Sequence, residues 1–282
     1  MFDPKEEDFQ AIVSWGLKEN PLRAIEDFQP AQLEERWKNP YQQEAHAEYV
    51  RKREEYIQSK NFDDYYKKAE KPIDRKRWEY LKDRKAWFIA PLEWSRFAAN
   101  DVRLVLDLGC GDGDVTQRIA DFIADDWAKR SYAGHDIQIF GYDLNASRIK
   151  NAQALCHSPH PKISFNFDVC DAIGAGIPHE DKFFDYAVTT GVLEILEDAP
   201  AQKFLSEICR VSRRGVYVED LADEYPGGYP RENFSELFER EGFAVERHHW
   251  VLTEPFVREG TRDPMKLWPA LKDQIMFAVP KS

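Results

Sequence analysis

The chain has 282 residues, 43% hydrophobic and 32% charged, and this length suits one large domain or one domain with a sizeable addition. Its net charge of -12 lies mostly beyond residue 95 and disfavours nucleic acid as a partner, because negative charge repels a phosphate backbone. No apolar stretch comes near the length of a membrane span, which needs about eighteen uninterrupted apolar residues. The acidic N-terminus lacks the apolar segment of a signal peptide.

Residues 1–95 have a helical pattern, with little glycine, mixed charges and aromatic residues at spacings of three and four. We expect a helical extension over 1–95 that caps a main domain over 96–282. The basic runs at 51–53 and 74–78 are typical of solvated helix faces. A homodimer, if one forms, is expected to use these helices. The four scattered cysteines without CxxC spacing predict free thiols and a cytoplasmic protein.

From residue 102 onward, short apolar runs alternate with helical stretches. Strand alternating with helix is typical of a parallel sheet covered by helices on both faces. The last two strands have no helix between them, so we expect them to form an antiparallel hairpin. The predicted strands cover 103–108, 137–142, 163–167, 184–190, 215–219, 243–251 and 273–279, and the predicted helices cover 114–128, 146–156, 200–210 and 232–241.

The most informative stretch is LVLDLGCGDG at 104–113. An apolar strand ends there on glycine at every second position, Gly109, Gly111 and Gly113, and Asp107 lies just inside the strand end. Residues without a Cβ let the backbone turn sharply and approach a ligand closely. The following helix presents free N–H groups to the turn. On its own, this spacing indicates only a nucleotide-like ligand.

Polar residues also end the next three predicted strands. Asp143 ends the second strand, where a carboxylate can accept hydrogen bonds from both hydroxyls of a ribose. Asp168 ends the third strand and can accept from an exocyclic amine, while the next backbone N–H can donate to a ring nitrogen. Thr189 and Thr190 lie at the carboxyl end of the fourth strand. Ligands of open α/β sheets bind at these carboxyl ends, beside the topological switch point.

Taken together, these motifs resemble those of the class I S-adenosylmethionine-dependent methyltransferases. The resemblance implies a Rossmann-like α/β fold whose seven-stranded sheet has its seventh strand antiparallel between the fifth and sixth. It also implies S-adenosylmethionine as the cofactor and methyl transfer as the reaction. The matching segments follow the family's order and are LDLGCGDG at 106–113, GYDLN at 141–145, FDVCDA at 167–172, FFDYAVTTGVLEIL at 183–196, ICRVSRRGVYVED at 208–220 and EGF at 241–243.

The resemblance also assigns cofactor-binding residues by position. Asp143 would bind the ribose hydroxyls, and Asp168 with Val169 would bind the adenine. Asp171 is the rival of Asp168, because the segment is one residue shorter than the commonest pattern. Ile195 departs from the family, many members of which have histidine there, and SRRG replaces the usual Lys-Pro-Gly-Gly before the fifth strand. The full implied set is Asp107, Gly109, Gly111, Gly113, Asp143, Leu144, Asp168, Val169 and Thr189.

The sequence lacks the motifs of several methyltransferase classes, and this absence limits which molecules could accept the methyl group. The stretch TTGV at 189–192 has neither the Asn/Asp-Pro-Pro-aromatic motif of amino-methyltransferases nor the cysteine beside proline of a cytosine C5 enzyme. A small molecule is therefore the predicted acceptor. The alternatives are a protein or peptide acceptor, a non-catalytic cofactor-binding scaffold and a dinucleotide-dependent oxidoreductase. Because in-line methyl transfer depends mainly on alignment, no catalytic residue is predicted.

Several other segments lie near the predicted site. Long loops at 221–231 and 252–272 leave from the same carboxyl face, and with the N-terminal helices we expect them to wall the acceptor pocket. Glu219 and Asp220, at the end of the fifth strand, are the best-placed acids for a base. The segment CHSPH at 156–160 lacks a fourth ligand at a sensible spacing, so no metal site is predicted.

Overall fold

The structure is a computed structural model that describes Arg75 and residues 97–99, 101–196, 198–221, 234–253, 256–257, 267–268 and 271–281. The predicted helical extension over 1–95, with its basic runs and its expected dimer surface, therefore lies outside the described residues apart from Arg75. Most of the two predicted long loops lies outside them as well.

Seven strands of the described chain form one mixed sheet, in which the first five are parallel. The described residues contain nine strands in all: β1 (Leu104–Leu108), β2 (Ile137–Asp143), β3 (Ile163–Val169), β4 (Phe184–Thr190), β5 (Ser212–Leu221), β6 (Phe243–Thr253), β7 (Phe256–Val257), β8 (Leu267–Trp268) and β9 (Leu271–Pro280). The sheet order is β3-β2-β1-β4-β5-β9-β6, and the short strands β7 and β8 pair with each other. Strand β9 is antiparallel to both β5 and β6. This arrangement confirms the predicted sheet and its antiparallel last strand.

Four helices connect the strands in the described part of the chain. They are α1 (Asp114–Lys129), α2 (Ala146–Leu155), α3 (Asp198–Val211) and α4 (Ser235–Arg240). Helix α1 covers one face of the sheet with residues spaced by four, such as Val115, Ile119 and Ile123, and helix α3 covers the other face with Phe204 and Ile208. Among the described residues, no helix combines the length and the apolar character that crossing a membrane requires.

The segment SRRG, which begins β5, has a structural role at the end of the sheet opposite the glycine turn. Asp185 of β4 is fully buried and accepts hydrogen bonds from the backbone N–H groups of Arg103 (2.7 Å) and Leu104 (3.1 Å). Its carboxylate also pairs with Arg213 and, at 2.9 Å, with Nε of Arg214. Both arginines therefore compensate a buried charge that would otherwise cost several kcal/mol. They also explain why β5 begins three residues before the predicted strand.

Candidate cofactor site

The candidate site lies at the carboxyl ends of the parallel strands. Strand β1 has β2 on one side and β4 on the other, so the order reverses between β1 and β4. Open α/β sheets bind ligands in the crevice at such a switch point. The glycine turn lies at this edge, and so do the predicted residues at the ends of β2, β3 and β4. The structure therefore brings the predicted set to one side of the sheet.

The turn between β1 and α1 requires glycine at three positions. The φ angles of Gly109, Gly111 and Gly113 are 80°, 55° and 81°, all in the left-handed region that favours glycine. Space is also restricted. A Cβ added to Gly109 would lie 2.3 Å from Cγ2 of Val192, and one added to Gly113 would lie 2.6 Å from Sγ of Cys156. The turn is therefore packed between the loop after β4 and the end of α2.

Strand β2 fixes the glycine turn through hydrogen bonds. The backbone N–H groups of Gly109 and Cys110 both donate to the carbonyl oxygen of Tyr142, at 2.7 and 3.0 Å. Oδ2 of Asp143 accepts from the N–H of Gly111 at 2.9 Å, and Oδ1 accepts from the N–H of Asn145 at 2.8 Å. The half-buried carboxylate of Asp143 is thereby held in one orientation. Because each carboxylate oxygen can accept more than one hydrogen bond, both retain capacity for a hydroxyl donor.

Asp107 of β1 is paired with Gly141 of β2, two residues before Asp143. Its side chain is buried, and Oδ2 accepts a hydrogen bond from the hydroxyl of Thr116 at 2.5 Å. Thr116 belongs to the first turn of α1, so this bond links the end of β1 to the start of the helix. The sequence did not single out Thr116, because a threonine near a helix start carries no signal of its tertiary partner.

Carboxylates give the glycine turn a negative potential. Burial raises the pKa of the Cys110 thiol well above its usual range, and the charges of Asp107, Asp143 and Asp114 raise it further. Asp114 is buried in the first turn of α1. A helix N-terminus free of acidic side chains would suit a pyrophosphate, whereas carboxylates at this position repel phosphate and attract a cation. The potential therefore favours a cationic ligand over a dinucleotide.

An exposed apolar side chain lies beside Asp143. Val169, the last residue of β3, is paired with Asp143 in the sheet and is 47% exposed. Among the described residues it is the single large apolar side chain that is exposed. Leu144, the residue after Asp143, is half-buried at the same edge. These two side chains provide apolar surface for a flat ring.

The two candidate adenine acids differ in their contacts. Oδ1 of Asp168, which is exposed, accepts from the backbone N–H of Val169 at 2.8 Å. Oδ1 of Asp171 accepts from the N–H of Gly174 at 2.7 Å, and the carbonyl oxygen of Asp171 accepts from the N–H of Ala175 at 2.9 Å. Asp171 therefore also stabilises the turn that follows it, whereas Asp168 engages the N–H that was expected to meet the adenine ring.

The loop after β4 closes the other side of the site. Thr189 is fully buried, and its hydroxyl has no hydrogen-bond partner among the residues that the structure describes. The loop continues into a short 3₁₀ helix, Leu193–Ile195. Asp220 of β5 lies behind it, and its carboxylate accepts from the backbone N–H groups of Leu193 and Glu194. Both oxygens of Asp220, which the sequence places with Glu219 as the best-placed acids for a base, thus accept from backbone groups.

The segment CHSPH packs on α1. The thiol of Cys156 donates to the carbonyl oxygen of Gly113 at 3.2 Å, and the N–H of His157 donates to Oε1 of Gln117 at 2.8 Å. Within the described ranges, no group of three or more histidine, cysteine, aspartate or glutamate residues is arranged to hold a metal ion.

Comparison with known proteins identifies the domain. A family model described as a methyltransferase domain matches residues 105–215, which include the glycine turn and the ends of β1 to β4. Residues 105–215 therefore form a methyltransferase domain, of the class I S-adenosylmethionine-dependent type that the sequence motifs resemble. The chain is 24% identical over 161 residues to a 2-phytyl-1,4-naphtoquinone methyltransferase from Nostoc punctiforme, over 57% of this chain and 63% of that protein. The match therefore spans less than two thirds of the length of this curated relative.

Two solved structures align with much of the chain. A chain of the complex between the Haloferax volcanii Trm112 methyltransferase activator and its partner methyltransferase aligns with a TM-score of 0.51 and 17% identity, over 74% of this chain and 94% of that one. Magnesium protoporphyrin IX methyltransferase from Synechocystis PCC 6803 with bound S-adenosylmethionine aligns with a TM-score of 0.49 and 16% identity, over 80% and 94%. At 17% sequence identity, the likeness to the chain of the Haloferax volcanii complex shows a shared fold.

The cofactor of this methyltransferase domain is S-adenosylmethionine, and the residues at the strand ends fit it. The oriented carboxylate of Asp143 suits a ribose with two hydroxyls. The negative potential at the glycine turn suits a sulfonium and an ammonium group. The exposed face of Val169 suits an adenine ring.

Three contacts of the site were not predicted from the sequence. Val192 lies over Gly109, and Asp220 holds the loop that carries Val192. The glycine pattern does signal that some group approaches the turn closely, but it cannot say which one. The hydroxyl of Tyr142 also pairs with Nε2 of His179 at 2.7 Å, which ties β2 to the loop after β3.

Proposed function

We propose that the protein transfers the methyl group of S-adenosylmethionine to a small-molecule acceptor, mainly by in-line alignment. The observation that carries the cofactor assignment is the carboxylate of Asp143, which two backbone N–H groups orient at the switch point of the sheet. The acceptor class is supported by the missing base-methylation motifs in TTGV and by the acidic charge of the chain. The named activity of the Nostoc punctiforme relative, on a naphthoquinone, is consistent with it.

The residues of the chain would divide the work of binding. When bound, S-adenosylmethionine supplies an electrophilic methyl group on a positively charged sulfonium. Asp143 would accept from the ribose hydroxyls, while the backbone of Gly109 and Gly111 leaves room for close approach. Val169 and Leu144 would contact the adenine through apolar surface. Holding two reactants in line can supply several kcal/mol of the barrier reduction, about 7–11 kcal/mol in well-oriented systems.

A proton acceptor is required only if the acceptor atom must lose a proton. Asp220 is poorly suited to this role, because both carboxylate oxygens accept from backbone N–H groups and the side chain is only 2% exposed. Glu219 is also buried, and Oε2 accepts from the hydroxyl of Tyr217 at 3.5 Å. We therefore assign no general base.

The adenine acid can be assigned by comparing two variants. Asp168→Ala and Asp171→Ala each remove one candidate acceptor, and loss of a hydrogen bond to a charged group costs about 1.5–3 kcal/mol. We expect the variant of the true adenine ligand to weaken S-adenosylhomocysteine binding at least about tenfold, since 1.4 kcal/mol corresponds to that factor. An equal, small effect of both substitutions would exclude an acidic adenine contact at these positions.

The acceptor class is tested by following the methyl group. Methyl-labelled S-adenosylmethionine is incubated with the protein and with cell extract separated into metabolite, peptide and protein fractions, with Asp143→Ala as the inactive control. We expect label in the metabolite fraction, and the labelled compound then identifies the acceptor. Label in the peptide or protein fraction would instead support the protein-acceptor alternative, which the acidic surface also suits. Cofactor binding without any labelled product would support the non-catalytic scaffold.

A further inference from the structure

The loop after β4 packs directly on the glycine turn. Val192 lies so close to Gly109 that an added Cβ on the glycine would be 2.3 Å from Cγ2 of Val192. This contact joins the wall of the site formed after β4 to the turn formed after β1. Any movement of Val192 therefore changes the space beside the first glycine.

Within the loop, the backbone N–H groups of Ile195 and Leu196 bond to carbonyl oxygens of the loop itself, but the N–H groups before them bond to another segment. The 3₁₀ helix Leu193–Ile195 begins after Val192, which provides no side-chain cap. The first N–H groups of any helix have no partner within that helix and must be satisfied from outside. Here the partner comes from a different strand of the sheet.

Asp220, near the end of β5, supplies that partner. Its Oδ2 accepts from the N–H of Leu193 at 2.8 Å, and its Oδ1 accepts from the N–H of Glu194 at 2.9 Å. The adjacent residue, Glu219, accepts from the N–H of Gly191 through its carbonyl oxygen at 2.9 Å. Strand β5 thus holds the loop at both ends of the segment that includes Val192.

The buried location of Asp220 makes these hydrogen bonds necessary. The side chain is 2% exposed, so a carboxylate there is costly unless donors surround it. Hydrogen bonds from N–H groups to a charged acceptor are roughly twice as strong as neutral ones. Burial and the nearby charge of Glu194 raise the pKa of Asp220, whereas the backbone N–H groups of the loop lower it by bonding to the carboxylate. A structural reason therefore exists for an acid, rather than an amide, at this position.

We propose that Asp220 is a positioning residue that holds the loop 191–196, and with it Val192, against the glycine turn of the cofactor site. It acts through the loop and does not itself touch the cofactor. Removal of the Asp220 carboxylate would let Val192 move away from Gly109 and would widen the space between the loop after β4 and the glycine turn. This inference rests on the proposed function and adds a residue that shapes its binding site.

The test compares two buried acids at opposite edges of the sheet, Asp220 near the carboxyl end of β5 and Asp185 near the start of β4. Asp220→Asn replaces one acceptor oxygen with an amide that opposes a backbone N–H. Asp185→Asn makes the same change at a fully buried acid that also accepts two backbone N–H groups, but far from the glycine turn. Both variants are expected to lower the melting temperature. Only Asp220→Asn is expected to raise the dissociation constant of S-adenosylhomocysteine, by about tenfold.

Two results would overturn the proposal. One is a folded Asp220→Asn protein whose dissociation constant stays within about twofold of the wild type. The other is an equal loss of affinity in Asp185→Asn, which would indicate a general effect of destabilisation. If Asp220→Asn does not fold, Val192→Ala replaces it, because this variant keeps the Asp220 bonds and shortens the side chain over Gly109. Unchanged affinity in Val192→Ala would then contradict the proposal.

Hydrogen exchange separates this inference from the proposed function. Amides of residues 191–196 and 109–113 are expected to exchange faster in Asp220→Asn than in the wild type, without any ligand present. Asp185→Asn should leave exchange in both segments unchanged. If the wild type failed to bind S-adenosylhomocysteine, the proposed function would be wrong, whereas the exchange data would still decide whether Asp220 holds the loop. Unchanged exchange in Asp220→Asn would contradict the positioning role.

Discussion

Replacement of Asp143 with alanine is expected to weaken cofactor binding by about two orders of magnitude. The variant removes two charge-assisted hydrogen bonds to the ribose, each worth about 1.5–3 kcal/mol. Asp143 is half-buried, so the lower end of that range applies to each bond. The sum of about 3 kcal/mol corresponds to roughly a 150-fold rise in the dissociation constant. Asp143→Asn keeps one acceptor oxygen and should lose about tenfold.

The same substitution also affects the turn itself. Alanine leaves the N–H groups of Gly111 and Asn145 without their present acceptor, which costs about 1–3 kcal/mol for each group that water does not reach. Thermal unfolding must therefore show that the variant is folded before its affinity is interpreted. Asp125→Ala is the matched control, because it removes one negative charge from an exposed position on α1.

Isothermal titration with S-adenosylhomocysteine measures the effect. The reasoning requires a large loss for Asp143→Ala, a smaller one for Asp143→Asn and none for Asp125→Ala. A folded Asp143→Ala protein with the wild-type dissociation constant would refute the ribose assignment. An equal loss in Asp125→Ala would show that net charge, rather than the oriented carboxylate, determines affinity.

Three further outcomes are expected. Gly109→Ala should lower the free energy of unfolding in urea by at least about 1 kcal/mol more than Gly242→Ala does. Both glycines have left-handed φ angles, but only at Gly109 would the added Cβ collide with Val192. Equal losses would contradict the packing argument. Burial lowers the pKa of His135 and His179 below 6.5. As the pH decreases, the unfolded chain therefore binds protons before the folded protein does, and the free energy of unfolding should decrease from about pH 7 to pH 5. Replacing both histidines with asparagine should reduce that fall, and an unchanged pH profile would disprove their contribution. Burial raises the pKa of all four cysteine thiols, so an aromatic disulfide reagent at about pH 8 should react slowly with the native protein and fully in denaturant, whereas rapid native reaction would contradict this burial.

The sheet could be predicted because its signals are local. Apolar runs of strand length, the glycines after β1 and an acid at the end of β2 are all visible within a few residues. The predicted strand 184–190 matches β4 residue for residue, and the other predicted strands and helices differ from the structure only at their ends. The helix predicted over 232–241 is shorter, Ser235–Arg240, and β5 is longer than predicted because the SRRG segment joins it.

Contacts between distant segments could not be predicted. The bond from Leu193 to Asp220 joins residues 27 positions apart, and no pattern in either segment signals the other. The sequence therefore gave Asp220 the role of a candidate base, whereas the structure shows its carboxylate engaged by the loop backbone. The approach of Val192 to Gly109 likewise depends on how β4 lies beside β1.

The most direct test of the central claim is a pair of calorimetric titrations on the wild-type protein, one with S-adenosylhomocysteine and one with NAD. The orientation of Asp143 predicts saturable, one-site binding of S-adenosylhomocysteine through its ribose. The carboxylates at the glycine turn suit its ammonium group and repel a pyrophosphate, and they therefore predict no binding of NAD. Tight binding of NAD without binding of S-adenosylhomocysteine would contradict the assignment of this site to the methyl donor.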